Sequence, residues 1–256
     1  KMKIFLVLLF GGTQAQAFAL VNSTVLKFNS PTITVNVSSD SCSSAGLTTN
    51  TLLDMVEEVA DEYWNSVSTS AIEIKRGGIV STSVGSLTSL DAAVALAENE
   101  TILVGCNTNT TLFPSSKDGI GGVGGISVSG GVTRGAIFIN ANGNFSSLSD
   151  SQKRAIVAHE LGHAIGLGHS SDEIALMYYS VSGKVQEKLG VDDKDGVSYL
   201  YPNENLSGSC GSISYVDGGD GEGPFITMFF ILLLALISFS HWRKRRITSS
   251  FYYSPH

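Results

Sequence analysis

His159-Glu160-Leu161-Gly162-His163-Ala164-Ile165-Gly166-Leu167-Gly168-His169 is the stretch from which the rest of the chain can be read. It has the form H-E-x-x-H-x-x-G-x-x-H, and each fixed position has a chemical reason. On a helix, His159 and His163 stand one turn apart on one face, so their imidazoles converge on one metal ion. Glu160 sets a carboxylate beside the first ligand, within reach of a water at that metal. Gly166 suits an exit from the helix that a Cβ resists, and the turn returns His169 as third ligand. Three neutral imidazoles leave a tetrahedral Zn²⁺ one open position, the layout of a catalytic ion and not a structural one. Composition sharpens the reading. Of five histidines, His241 and His256 lie in the C-terminal tail and the other three all lie in this stretch.

At these residues the sequence resembles the metzincin metallopeptidases, whose signature continues into a methionine turn. Ala175-Leu176-Met177-Tyr178 matches that turn, with Met177 eight residues beyond His169. Ser170, the short spacing to Met177 and the segment 189–201 resemble the matrixin branch, in a bacterial-type, membrane-anchored form. The likeness is strong over 150–202, topological over 32–140, and absent from both ends. It implies an α+β zincin/metzincin fold: a twisted mixed sheet whose edge strand lies over the cleft, an active-site helix and a Met-turn subdomain.

The implied activity is zinc-dependent endopeptidase action on an extended protein or peptide substrate. His159, His163 and His169 would hold one zinc, Glu160 would act as general base and acid, and Met177 would floor the histidines. Tyr179 stands two residues past Met177, where astacins and serralysins carry a tyrosine that swings onto the metal or the oxyanion and matrixins usually carry proline. Tyr178 and Tyr179 are therefore candidates for a transition-state role or for the pocket wall, which would continue through 180–184. Matrixins also bind a structural zinc through histidines in the glycine-rich region. This sequence has no histidine there, so a second zinc is not expected. Ca²⁺ at Asp118 or around the glycines has no ligand pattern behind it, and Asp192, Asp193 and Asp195 lack the EF-hand spacing. Hydrogen bonds at a helix start suit those three better.

The ends are not fold. Residues 1–17 read as a secretory signal peptide: a basic start, an apolar core and Ala15-Gln16-Ala17 as cleavage pattern. Residues 18–202 form the catalytic domain and 203–224 a flexible Gly/Ser/Asp-rich linker. Residues 225–242 are apolar enough for a transmembrane segment, and 243–256 form a tail that opens on Arg243-Lys244-Arg245-Arg246. That flank predicts a cytoplasmic C-terminus and a catalytic domain outside. Gly218-Gly219 ahead of the span resembles bacterial tripartite sorting tails; a plain anchor is the alternative. Without the six basic residues of the ends, ten Lys and Arg face 23 acids. Such a surface argues against nucleic acid, and a monomer is expected. Of three cysteines in an exported chain, Cys42 and Cys106 fall inside the domain and are expected to pair, leaving Cys210. The alternative for either is a zinc-bound latency switch, but the Arg-Cys-Gly core of such a switch is missing. Latency would otherwise fall to 18–30 covering the cleft.

Periodicity predicts a strand at 32–37, a helix at 51–64 with an acidic wet face, a strand at 71–75, a short helix at 90–98 and a strand at 101–106. Residues 119–131 hold seven glycines. No P-loop Lys-Ser/Thr follows them, which excludes a phosphate cradle and leaves a loop leading into an edge strand near 124–130. A strand at 134–140 follows, and Ser149-Asp150 caps the active-site helix. A rival from another class is a non-catalytic zinc-containing envelope binding protein. It would be favoured by loss of the glutamate, and Glu160 is present.

Overall fold

The computed structural model describes residues 18–114, 120–179 and 188–204. The expected signal peptide, membrane span and basic tail lie outside these residues, as do most of the linker, Asp118, Cys210 and 180–184. The chain divides into units 1–208 and 209–256, and every described strand and helix lies in the first. Among the described residues no helix is long and apolar enough to cross a membrane.

The elements run β1 (Thr32–Ser38), α1 (Thr49–Val59), β2 (Glu73–Val80), α2 (Leu90–Leu96), β3 (Thr101–Asn107), β4 (Gly122–Ser129), β5 (Val132–Asn140), α3 (Asp150–Ala164) and α4 (Val191–Leu200). The five strands form one sheet in the order β2-β1-β3-β5-β4. The first four are parallel, and β4 closes one edge antiparallel to β5. This is an α+β architecture with a mixed sheet.

Parallel strands covered on both faces carry near-continuous apolar runs, and β3 and β5 do. Ile102, Val104 and Cys106 of β3, with Ile137 and Ile139 of β5, join α1 and α3 in the main core. Their alternates Leu103, Ala136 and Phe138 pack with Ala93 and Val94 of α2 and with Phe113 on the other face.

The helix expected at 90–98 ends at Leu96, the strand expected at 134–140 begins at Val132, and two further elements differ from the periodicity in kind. The strand expected at 71–75 begins later and continues to Val80 through Gly77-Gly78. Glycines usually end a strand; here they form a bulge opposite Asn36. Gly78 N–H donates to Asn36 Oδ1 at 3.0 Å, and a Cβ on Gly77 would lie 2.2 Å from that same oxygen. The helix expected at 51–64 starts at Thr49 because Thr48 and Thr51 form a reciprocal capping box. Past Val59 it widens into a π-turn, Ala60–Trp64, which brings Tyr63 and Trp64 into the core. Trp64 Nε1 then donates to the Ala158 carbonyl of α3 at 3.1 Å. The disulfide Cys42–Cys106, with a Cα–Cα distance of 5.3 Å, ties the loop after β1 to the end of β3.

Candidate metal centre

Helix α3 is launched by a second capping box, Ser149 with Gln152. From Ala155 to Ala164 every residue is buried, since the helix lies under the sheet on one side and over the C-terminal segment on the other. His159 and Glu160 sit in its middle and His163 in its last turn. The helix ends at Ala164, and Gly166 takes φ +113°, in the region that glycine favours. A Cβ there would also lie 2.2 Å from the Leu26 carbonyl oxygen. The reversed chain carries His169 back to the face of His163.

The three histidines present ligand atoms all within 4.8 Å of one another. His163 Nε2 and His169 Nε2 are 3.2 Å apart. Two nitrogens on a tetrahedral zinc at about 2.0–2.1 Å are separated by roughly 3.3 Å, so the spacing fits that ion. The other ring nitrogens are occupied: His159 Nδ1 meets the Leu176 carbonyl at 2.7 Å and His163 Nδ1 the Leu167 carbonyl at 2.8 Å. Each Nδ1 therefore carries its proton and donates, which turns the Nε2 lone pair toward the metal position. Burial also favours the neutral ring, holding His159 down at about 4 and His163 at about 3. His169 is more exposed and lowered for the same reason. A neutral imidazole with a fixed tautomer is the form that ligates zinc.

Glu160 points to the cleft side of α3 beneath β4. Burial pushes its carboxyl up to about 8, opposed by the Gly124 N–H that donates to it. A dication held by the flanking histidines favours the carboxylate. The glycine run explains how β4 comes so near. A Cβ on Gly122 would lie 2.9 Å from Glu160 Cγ, and one on Gly124 2.2 Å from the Glu160 backbone oxygen.

Below the histidines, Met177 is buried and fills the space left by Gly162, where a Cβ would lie 2.3 Å from its Sδ. The turn that carries it is closed by Ser170 N–H donating to the Met177 carbonyl. Asp193, at the start of α4, accepts from the N–H groups of Leu176 at 2.6 Å, Met177 at 2.9 Å and Gly190 at 2.7 Å. The aspartates near α4 thus supply backbone anchoring at Asp193. Among the described residues the only potential metal-binding group is the three histidines.

A cleft of about 760 Å³ opens over the histidines, lined by β4 from Gly122 to Gly124, by Ile156 and Glu160, and by Tyr179. Tyr179 stands on its rim, 66% exposed. Tyr178 lies against it, ring centroids 4.5 Å apart, and is not part of the lining. Cys42 and Cys106 are bonded to each other, so neither is a zinc-bound switch. Residues 18–30 do not plug the cleft; Leu20 and Val21 line it.

Sequence reasoning missed the supporting parts: Asp193 as anchor of the methionine turn, Gly162 as its seat, the Leu176 carbonyl that orients His159, and Gly124 beside Glu160. Their only signals were an aspartate close to a helix start and glycines at two-residue spacing.

A zinc-ligating helix beneath an antiparallel edge strand, with a methionine turn as its floor, places the protein among the metzincin metallopeptidases. The Matrixin family model (Peptidase_M10) matches residues 60–202, and the chain belongs to the matrixin family of zinc metalloendopeptidases. That match reaches back into the π-turn after α1, well ahead of the histidine stretch. The chain is 44% identical over 57 residues to metalloendoproteinase 2-MMP of Arabidopsis thaliana, covering 22% of this chain and 15% of that protein. Over 59 residues it is 51% identical to interstitial collagenase of Oryctolagus cuniculus, covering 22% and 12%. A putative matrix metalloproteinase of Trichoplusia ni ascovirus 2c is 46% identical over 59 residues, covering 23% and 11%. The similarity thus spans well under a fifth of each relative's length.

Proposed function

We propose that the protein is a zinc-dependent endopeptidase that cuts proteins outside the cytoplasm, with Glu160 as general base. The observation that carries the reading is the buried carboxylate of Glu160, set on α3 between His159 and His163 and facing an open cleft. Zinc, when bound by His159, His163 and His169, supplies a Lewis acid for the scissile carbonyl and lowers the pKa of water. The chain's own groups do the rest. Glu160 takes the proton of the attacking water and returns it to the leaving amine. β4 is the edge strand of the sheet, and its outer side suits an extended peptide in a strand-addition mode of binding. Gly124 N–H donates to the Glu160 carboxylate from the β4 side.

The protein reaches its substrates by export through 1–17 and stays at the envelope through 225–242, acting as a monomer with 243–256 in the cytoplasm. Processing behind Gly218-Gly219 would release or re-anchor it.

The test is cleavage of a mixed peptide library by zinc-loaded protein, with metal content measured in the same samples, against Glu160→Ala. The wild type is expected to cut, and the variant to retain about one zinc while losing at least about a hundredfold in rate. Zinc bound without cleavage by either protein would point to a binding protein instead.

A further inference from the structure

Residues 19–21 run antiparallel to 166–168, the turn that leads to the third histidine. Gly168 N–H donates to the Ala19 carbonyl at 2.8 Å, Val21 N–H donates to the Gly166 carbonyl at 3.1 Å, and Leu20 bridges Leu167. The approach is close because Gly168 lacks a side chain: a Cβ there would lie 2.5 Å from the Leu20 carbonyl oxygen. Further along, Lys27 Nζ donates to the Leu200 carbonyl and Phe28 N–H to Tyr201 Oη. This N-terminal strap is therefore held by its backbone at both ends. Leu20 is partly buried against the core, while Val21 is 39% exposed. Both line the cleft beside Gly168 and His169.

Their position along the cleft follows from the glycines of β4. A Cβ on Gly121 would meet Ile156, Cβ atoms on Gly122 and Gly124 would meet Glu160, and one on Gly135, paired with Ile126, would meet Ala164. β4 therefore runs along α3 in the same sense, and the strap, bonded to 166–168, lies toward the Ser129 end. A peptide added antiparallel to β4, the more stable pairing, runs the opposite way. It carries its residues N-terminal to the scissile bond past the strap.

We propose that Leu20 and Val21 form an apolar subsite wall, which selects an uncharged apolar side chain on the N-terminal side of the scissile bond. The inference rests on the peptidase reading above. A valine held at a cleft mouth by backbone bonds, with much of its surface left in water, loses that exposure when an apolar substrate group covers it. One methylene in such a pocket is worth about tenfold or more in kcat/KM.

The experiment profiles cut sites of the zinc-loaded protein on a peptide library for wild type, Val21→Ser, Val21→Lys and Val25→Lys. Val25 is on the same strap and 41% exposed, but it does not line the cleft. Val21→Lys is expected to lower kcat/KM for peptides with an apolar residue at one position N-terminal to the cut by about tenfold. Acidic residues should gain there, and Val21→Ser should flatten the preference. Val25→Lys should match the wild type, and all four should keep their zinc and melting temperature. A profile unmoved by both Val21 changes while the wild type still cuts would overturn the wall alone. So would an equal shift from Val25→Lys, or a shift confined to positions after the cut. A wild type that cuts nothing would remove the peptidase reading and the wall with it.

Discussion

The two buried histidines combine three requirements at single atoms: a neutral ring, a chosen tautomer and a direction. The carbonyls of Leu176 and Leu167 settle the last two, and burial settles the first. The same burial ties stability to pH. In the unfolded chain each imidazole titrates near 6.5, whereas in the folded, zinc-free protein His159 titrates near 4 and His163 near 3. For these two groups the unfolded state binds more protons below pH 6.5, so their contribution to stability rises with pH across that window and is lost as pH falls. The two histidines should lower the stability of the zinc-free protein by on the order of several kcal/mol between pH 6.5 and 4. Glu160 opposes this in part, since its carboxyl, raised to about 8, keeps its proton in the folded protein. Melting curves of wild type and His159→Gln across that range should differ in slope, the variant being shallower; parallel slopes would contradict the assignment. Tyr179, exposed on the cleft rim, suits a wall better than a reacting group. Tyr179→Phe should leave kcat within about twofold, whereas a loss of about a hundredfold would assign its hydroxyl to the transition state.

At the scale of elements, the methionine turn and α4 act as one support for α3. Asp193 gathers three N–H groups from the turn and from its own helix start. Leu176, whose N–H it holds, lends its carbonyl to His159. Asp193→Asn keeps the shape but turns an amide NH₂ toward donors. At least one buried N–H then loses its acceptor, at a cost of about 2–4 kcal/mol. Thermal melting should show that loss, and zinc should transfer to a competing chelator more readily than from wild type. An unchanged zinc affinity would separate the turn from the metal centre. β4 is the other supporting element. An edge strand was legible near 124–130, with Gly122 left in the loop before it. The strand begins at Gly122, and the reason for both glycines, contact with Glu160, involves a helix more than thirty residues away and leaves no local pattern.

At the scale of the molecule, the sheet is stapled once, between residues 64 apart. Closing a loop of that length restricts the unfolded chain by about 4 kcal/mol on the chain-entropy account. Cys42→Ser/Cys106→Ser should lower the unfolding free energy from urea titration by that amount while the folded protein keeps its zinc, since neither sulfur touches the metal centre. A variant as stable as wild type would show that the bond adds nothing beyond packing. The strap, α3 and the C-terminal helix meet at Tyr201, whose hydroxyl accepts from Phe28 N–H and donates to the Ile165 carbonyl. One side chain thereby joins the start of the domain, the end of α3 and the end of α4.

What the sequence determined by itself was the chemistry: a histidine triad, a neighbouring glutamate and a following methionine. Ligands four residues apart on a helix, and a glycine where the helix must turn, are short-range geometry, and short-range geometry is written in spacing. The strand order was legible only as a sequence of elements. The tertiary structure decided where the glycine pair at 77–78 bulges instead of ending β2, and where α1 widens into a π-turn to seat Trp64. It also set which aspartate anchors the turn and which end of the cleft the strap lines. Each of these depends on a backbone approach or a hydrogen bond between distant segments. No local periodicity carries such a contact, because the partners become neighbours only once the chain has folded.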